Sequence, residues 1–135
     1  MSEAGYWDLF ERASRALQRA ELAEAETVFL EACCEARRER LPRLVDRAYC
    51  NWAAIRIERG TPSGLQQGLS RVLGGSDDLR ARQLAAYHLA VLYQDRGRLR
   101  IMRFYADTAS RLAESTGDSR PAAAHLLGLN ATMEG

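Results

Sequence analysis

The chain contains no lysine. All 19 basic residues are arginine, set against 18 acidic residues for a formal net charge of +1. A balance this close to neutral excludes a global field that would draw the protein to nucleic acid or to an anionic membrane surface. Arginine without lysine, together with abundant alanine, reads as a bacterial-like, GC-rich coding bias. It also supplies planar forks that bind carboxylates and stack on aromatic rings in ways lysine does not. Cysteine is scarce, at three residues, and no two have C-x-x-C spacing, so the common zinc frameworks are excluded. Cys33 and Cys34 are adjacent, and on a helix they point about 100° apart, a poor geometry for a disulfide. Buried reduced thiols at these positions and at Cys50, in a reducing compartment, are expected. No apolar run approaches the roughly 20 residues that span a bilayer. The opening MSEAGYWDLFERASRAL is amphipathic and carries acids, unlike the basic-then-apolar layout of a signal peptide. The expectation is a cytoplasmic protein with neither a membrane nor a nucleic-acid partner. Strand signals are also sparse: valine and isoleucine are few, and no stretch alternates apolar with polar for long.

What is present is helical spacing over nearly the whole length. At 135 residues, with 47% hydrophobic and 27% charged residues, the chain is expected to form a single globular domain over 1–135. The periodicity predicts about seven helices. The first covers about 2–19, with Tyr6, Phe10, Ala13 and Leu17 on one face. The second covers about 22–40, with Ala25, Val28, Phe29, Ala32 and Ala36 repeating at three and four. The third covers about 42–59, with Leu44, Ala48, Trp52, Ile55 and Ile57, and stops at Gly60. Thr61-Pro62-Ser63 opens a shorter fourth helix through Leu73, closed by Gly74-Gly75. Ser76-Asp77-Asp78 caps a fifth that runs to Arg96. A sixth runs over about 99–115. Ser119-Arg120-Pro121 begins a seventh that ends at Gly135. The three prolines, Pro42, Pro62 and Pro121, each fall where a helix would start, the place that tolerates them best. Linkers this short make sequence neighbours pack antiparallel.

The hairpins repeat. Seven residues before each of the turn glycines Gly60, Gly97 and Gly135 stands a small residue, Ala53, Ala90 or Gly128, preceded by a large apolar one, Trp52, Leu89 or Leu127. In the opening unit Ala13 takes that place, with Ala20 where the glycine would be. The second helices share a register as well: Ala25, Phe29 and Ala32, then Leu65, Leu69 and Val72, then Met102, Ala106 and Ala109. Two helices cross closely only where one presents a small side chain, and a bulky neighbour a turn away fills the gap.

The segments AEAETVFLEACCEA, AYCNWAAIRIERG and LAAYHLAVLYQDRGRLRIMRFYADTASRLAESTGD resemble the tetratricopeptide repeat family, with Leu89-Ala90, Tyr93, Gly97, Tyr105 and Ala109 the best match. AHLLGLNATMEG looks like the first helix of a fourth repeat. The spacing, 37 to 40 residues, exceeds the family's usual length of about 34, and the closing proline is missing, as in long-repeat members. The resemblance implies an all-α, antiparallel helix-hairpin array, a tetratricopeptide-like α-solenoid. Its hairpins would cover about 2–40, 42–73 and 76–117, with a terminal half-repeat at 119–135. It also implies a non-enzymatic scaffold or adaptor that holds a peptide or partner helix on the face formed by the first helices. That face maps here onto Phe10, Leu17, Arg47, Asn51, Tyr87, His88, Val91 and Asp95. The subclass that grips C-terminal carboxylates uses Lys, Asn and Arg, and only Arg47 and Asn51 look similar, so that activity is not expected.

Other candidates carry plainer readings. Arg37, Arg38, Arg40, Arg43 and Arg47 form a basic run, but Glu31, Glu35, Glu39 and Asp46 interdigitate with it, which predicts an ion-paired, solvated surface. Arg96, Arg98, Arg100 and Arg103 surround a turn and suit either solubility or an acidic partner. His88 and His125 lack the carboxylate or thiolate companions of a metal or general-base site, and no catalytic residue, metal or cofactor is expected. In the last predicted helix Leu126, Leu127, Leu129 and Met133 spread around the wheel. This apolar end points to the alternative reading, a homo-oligomerisation or regulatory module of a larger assembly. A small-ligand receptor or an enzyme ranks below both.

Overall fold

The computed structural model describes residues 3–116, which form six α-helices and no strand. These are α1 (Ala4–Gln18), α2 (Leu22–Arg38), α3 (Pro42–Glu58), α4 (Leu65–Gly75), α5 (Leu79–Asp95) and α6 (Leu99–Thr116). The seventh predicted helix, with Leu126, Leu127, Leu129 and Met133, lies outside the described residues. The described helices divide into two compact units, one ending at Pro62 and the other beginning at Ser63. The boundary falls within the segment 42–73 expected as the second hairpin, so α3 belongs to the first unit and α4 to the second. No helix of the described residues is long and apolar enough to cross a membrane.

The first unit is three helices, each antiparallel to the next, around two apolar clusters. One cluster joins Tyr6 near the start of α1 to Ala32, Cys33 and Ala36 late in α2 and to Leu44 and Ala48 early in α3. The other joins Ala13 and Ala16 late in α1 to Ala25, Val28 and Phe29 early in α2 and to Ile55 late in α3. The expected α2 stripe is buried in full, with Cys33 added to it. The α1 face is narrower than expected: Tyr6 and Ala13 are buried, Phe10 is half-buried, and Leu17 in the last turn is 44% exposed. At the far end of the unit Glu26 of α2 accepts from Arg59 at 2.8 Å and pairs with Arg56 at 3.6 Å, while the Arg56 guanidinium lies over the Trp52 ring.

In the second unit α5 is buried around most of its circumference, as befits a helix flanked by α4 and α6. Ala90 late in α5 packs with Met102 and Ala106 early in α6, and Ala86 earlier in α5 packs with Ala109 further along α6. Tyr93 and Tyr105 stack with centroids 5.7 Å apart. Arg82 donates through Nε to the Leu73 carbonyl, and Arg96 donates through Nη1 to Gln66 Oε1, fastening α4 alongside. The residues read as hairpin crossings, Ala13, Ala53 and Ala90, have no exposed surface, and all nine residues of the second-helix register are buried.

Four turns share one hydrogen-bond pattern. After α1, α2, α3 and α5 the residue beyond the cap takes a left-handed conformation, and the next amide reaches back to the carbonyl five residues earlier: Glu21 to Ala16, Leu41 to Ala36, Thr61 to Arg56 and Arg98 to Tyr93. This Schellman closure satisfies carbonyls that the helix end would orphan. Gly60 and Gly97 supply the positive φ at two of these turns, but Ala20 (φ 59°) and Arg40 (φ 57°) supply it at the others. Entry to α4 departs from expectation. Pro62 stays in the loop and the helix begins only at Leu65, because Gly64 at φ 82° leaves the helical path first. Gly74 and Gly75 sit inside the last turn of α4 rather than beyond it. Asp78 caps α5 as expected, accepting from the Arg80 amide at 3.3 Å.

Two outcomes test this packing. Ala20→Gly removes the side-chain clash of a left-handed residue, and thermal unfolding should show a gain of about 0.5–1 kcal/mol. Ala90→Leu overfills the α5–α6 crossing and should cost about 1–3 kcal/mol, whereas the same change at exposed Ala23 should stay within about 0.5 kcal/mol.

Candidate functional site

The expected partner-face residues divide between the two units. Phe10 is largely committed to packing, with its ring 5.6 Å from that of Phe29 and edge-on to it. Asn51 donates to the Arg47 carbonyl one turn back on α3. In the second unit Tyr87 and Val91 pack partly into the Ala90 cluster, and Asp95 is exposed. His88 is 8% exposed, with its ring beside that of Tyr87, and offers a partner almost no surface. Burial alone holds its imidazole down at about 4. Among the described residues no group of three or more His, Cys, Asp or Glu is placed to hold a metal ion.

Cys33, Cys34 and Cys50 are free thiols. Cys33 and Cys50 are buried as expected, and burial pushes the Cys33 thiol up while its Sγ donates to the Val45 carbonyl at 3.7 Å. Cys34 corrects the expectation: it is exposed, because one residue along α2 turns it onto the outer face.

An open cleft of about 410 Å³ lies in the first unit. Glu3 and Trp7 form one wall from the start of α1. Arg40 and Leu41 come from the α2–α3 turn, and Pro42, Arg43, Leu44 and Arg47 from the first turns of α3. The pieces meet here because α1 and α3 run the same way on either side of α2, so their starts share one end of the unit. Trp7 is 42% exposed and is held from behind by Tyr6 and Phe10, with centroids 4.9 and 5.4 Å away. Its indole N–H donates to Glu3 Oε1 at 3.1 Å, which fixes the ring's orientation.

The lining carries the guanidiniums of Arg40, Arg43 and Arg47 and the carboxylate of Glu3. The ion-paired reading of the basic run holds for Arg38, which pairs with Glu35. It fails for Arg40 and Arg43, neither of which has a carboxylate partner among the described residues. The amino end of α3 adds to the positive character, since Leu41 makes no side-chain cap and the first turn holds no acid. Of the predicted face only Arg47 lines the cleft. That Trp7 and Arg43 line one cleft was missed, although Arg43 and Arg47 stand four apart on one face of α3.

A second exposed group stands on the other unit. Phe104 is 59% exposed, and Arg96 stacks over Tyr93 with its carbon 5.4 Å from the ring centre.

Comparison with known proteins finds no matching family model, no matching curated protein and no matching solved structure. The class that the structure itself defines is an all-α protein of antiparallel helices.

His88 gives a pH-dependent signature. The unfolded chain takes up its proton near pH 6.5, and the folded state refuses it until about pH 4. The folded state therefore binds fewer protons in between. The stability that neutral His88 contributes is complete above pH 6.5 and is lost as pH falls toward 4, to an upper bound of about 3 kcal/mol. Urea unfolding across this window should show wild type losing stability faster than His88→Gln. Parallel curves would mean that the imidazole is hydrated.

Proposed function

We propose that this chain is a protein-interaction module, a helix-hairpin scaffold of tetratricopeptide type, whose first unit receives a segment of a partner protein in the cleft beside Trp7. One observation carries the reading: a half-exposed indole, braced by two aromatic rings, stands over an aliphatic floor of Leu41, Pro42 and Leu44 in a cleft large enough for several side chains. A large aromatic left at the surface costs solvation and contributes little to the core. Tryptophan set in such a rim is the residue type that anchors partner side chains most strongly. The aliphatic floor favours a chain segment bearing an apolar side chain over a purely polar solute. Arg47 is common to this cleft and to the face implied by the repeat resemblance.

Selection of a displayed random-peptide library on the whole chain tests the proposal. Enriched peptides are expected to bind Trp7→Ala at least tenfold more weakly. The melting temperature should change by only a few degrees, because the ring is largely outside the core. Enrichment of no peptide, or peptides indifferent to Trp7→Ala, would sink the reading.

A further inference from the structure

We infer that the cleft selects an acidic segment, one in which two or more Asp or Glu side chains flank a bulky apolar residue. This rests on the proposed peptide-binding role and specifies its partner. The apolar residue fills the space between Trp7, Pro42 and Leu44, and the carboxylates meet Arg40 and Arg43 at the rim.

Charge is the first argument. Several arginines have a use within the chain: Arg38 pairs with Glu35, Arg56 and Arg59 with Glu26, and Arg96 with Gln66 and Tyr93. Arg40, in the α2–α3 turn, and Arg43, in the first turn of α3, have no such partner among the described residues, and both line the cleft. Guanidinium forks match carboxylates in planarity and spacing, and a charge-assisted pair at the edge of an apolar cleft is less screened than one on an open surface.

Backbone conformation is the second argument. Arg40 holds a left-handed φ of 57° at the same position of the same turn motif that Gly60 and Gly97 occupy at no steric cost and that Ala20 fills at 59°. The arginine contributes nothing to the turn that glycine would not. What distinguishes it from Ala20 is the cation that it places on the rim of the cleft.

A nucleic-acid strand fits less well. It needs a longer basic track with stacked aromatics, and here a single exposed indole and the Glu3 carboxylate share the lining.

The test uses fluorescence anisotropy with the full chain and a fluorescein-labelled decapeptide, acetylated and amidated at its ends, with Asp and Glu around one Leu. Controls are its Asn/Gln counterpart and a labelled oligothymidylate of similar length. Binding of the acidic peptide is expected to exceed that of the amide peptide at least tenfold and to weaken as salt rises. Arg40→Gly is the diagnostic variant, because it should raise the melting temperature by relieving the turn while lowering affinity about five- to tenfold. Misfolding cannot produce that pair of opposite signs. Arg43→Ser should weaken binding to a similar degree. Equal binding of the acidic and amide peptides, or an Arg40→Gly affinity equal to wild type, would overturn the charge selection. So would displacement by inorganic phosphate at sub-millimolar concentration, or oligothymidylate binding that matches the peptide. If library peptides without acids bind and respond to Trp7→Ala, the peptide-binding role stands and the acidic preference falls. If no peptide of any kind binds, both fall.

Discussion

Helices in this protein approach one another only as closely as their facing side chains allow, and those side chains are mostly alanine. Ala13, Ala25, Ala32, Ala36, Ala48 and Ala53 in the first unit, and Ala81, Ala85, Ala86, Ala90, Ala106 and Ala109 in the second, have no exposed surface. A buried methyl contributes on the order of 1 kcal/mol or less in transfer free energy. Its larger effect is geometric, since small residues let helix axes come to the near end of the usual 8–10 Å separation. The few large side chains among them, Tyr6, Phe29, Leu69, Leu89 and Met102, are almost wholly buried, and dispersion is gained densely there. The antiparallel order, the narrow clusters and the sensitivity of the crossings to added volume all follow from this close approach.

Close packing also demands tight turns. Three-residue connections reverse the chain only if one residue adopts a left-handed conformation, and the three such connections, like the carboxyl end of α3, close with the same pair of hydrogen bonds. Glycine removes the strain at two of these four closures. At the α2–α3 turn the strained residue is Arg40, and the same geometry that closes the helix points its side chain toward the space between the starts of α1 and α3. Fold and cleft therefore meet at one residue, where local backbone energy and surface charge pull in opposite directions.

Much of the helical framework was legible in the sequence. The boundaries of α2, α3, α5 and α6 fall close to the predicted ones, the nine-residue register of the second helices is buried throughout, and Ala20 takes the glycine role assigned to it by alignment. The start of α4 was misread because a proline at a helix start is only permissive, whereas the positive φ of Gly64 is decisive. The basic run was misread for a related reason. Spacing shows which charges can share a helix face, but α2 and α3 turn Arg38 and Arg43 toward different surroundings, and only one of them finds a carboxylate.

Periodicity, turn residues and small-residue spacing by themselves determined that the described residues are helical, where most of those helices lie and most of what they bury, because those properties depend on neighbours within a few residues. Tertiary structure decided what no local pattern holds. It put Trp7 of α1 beside Arg40, Arg43 and Arg47 more than thirty positions further along the chain, turned Cys34 outward and enclosed His88. The physical reason is that burial and charge pairing are properties of a side chain's surroundings, and those are set by helices that meet only after the chain has folded back on itself.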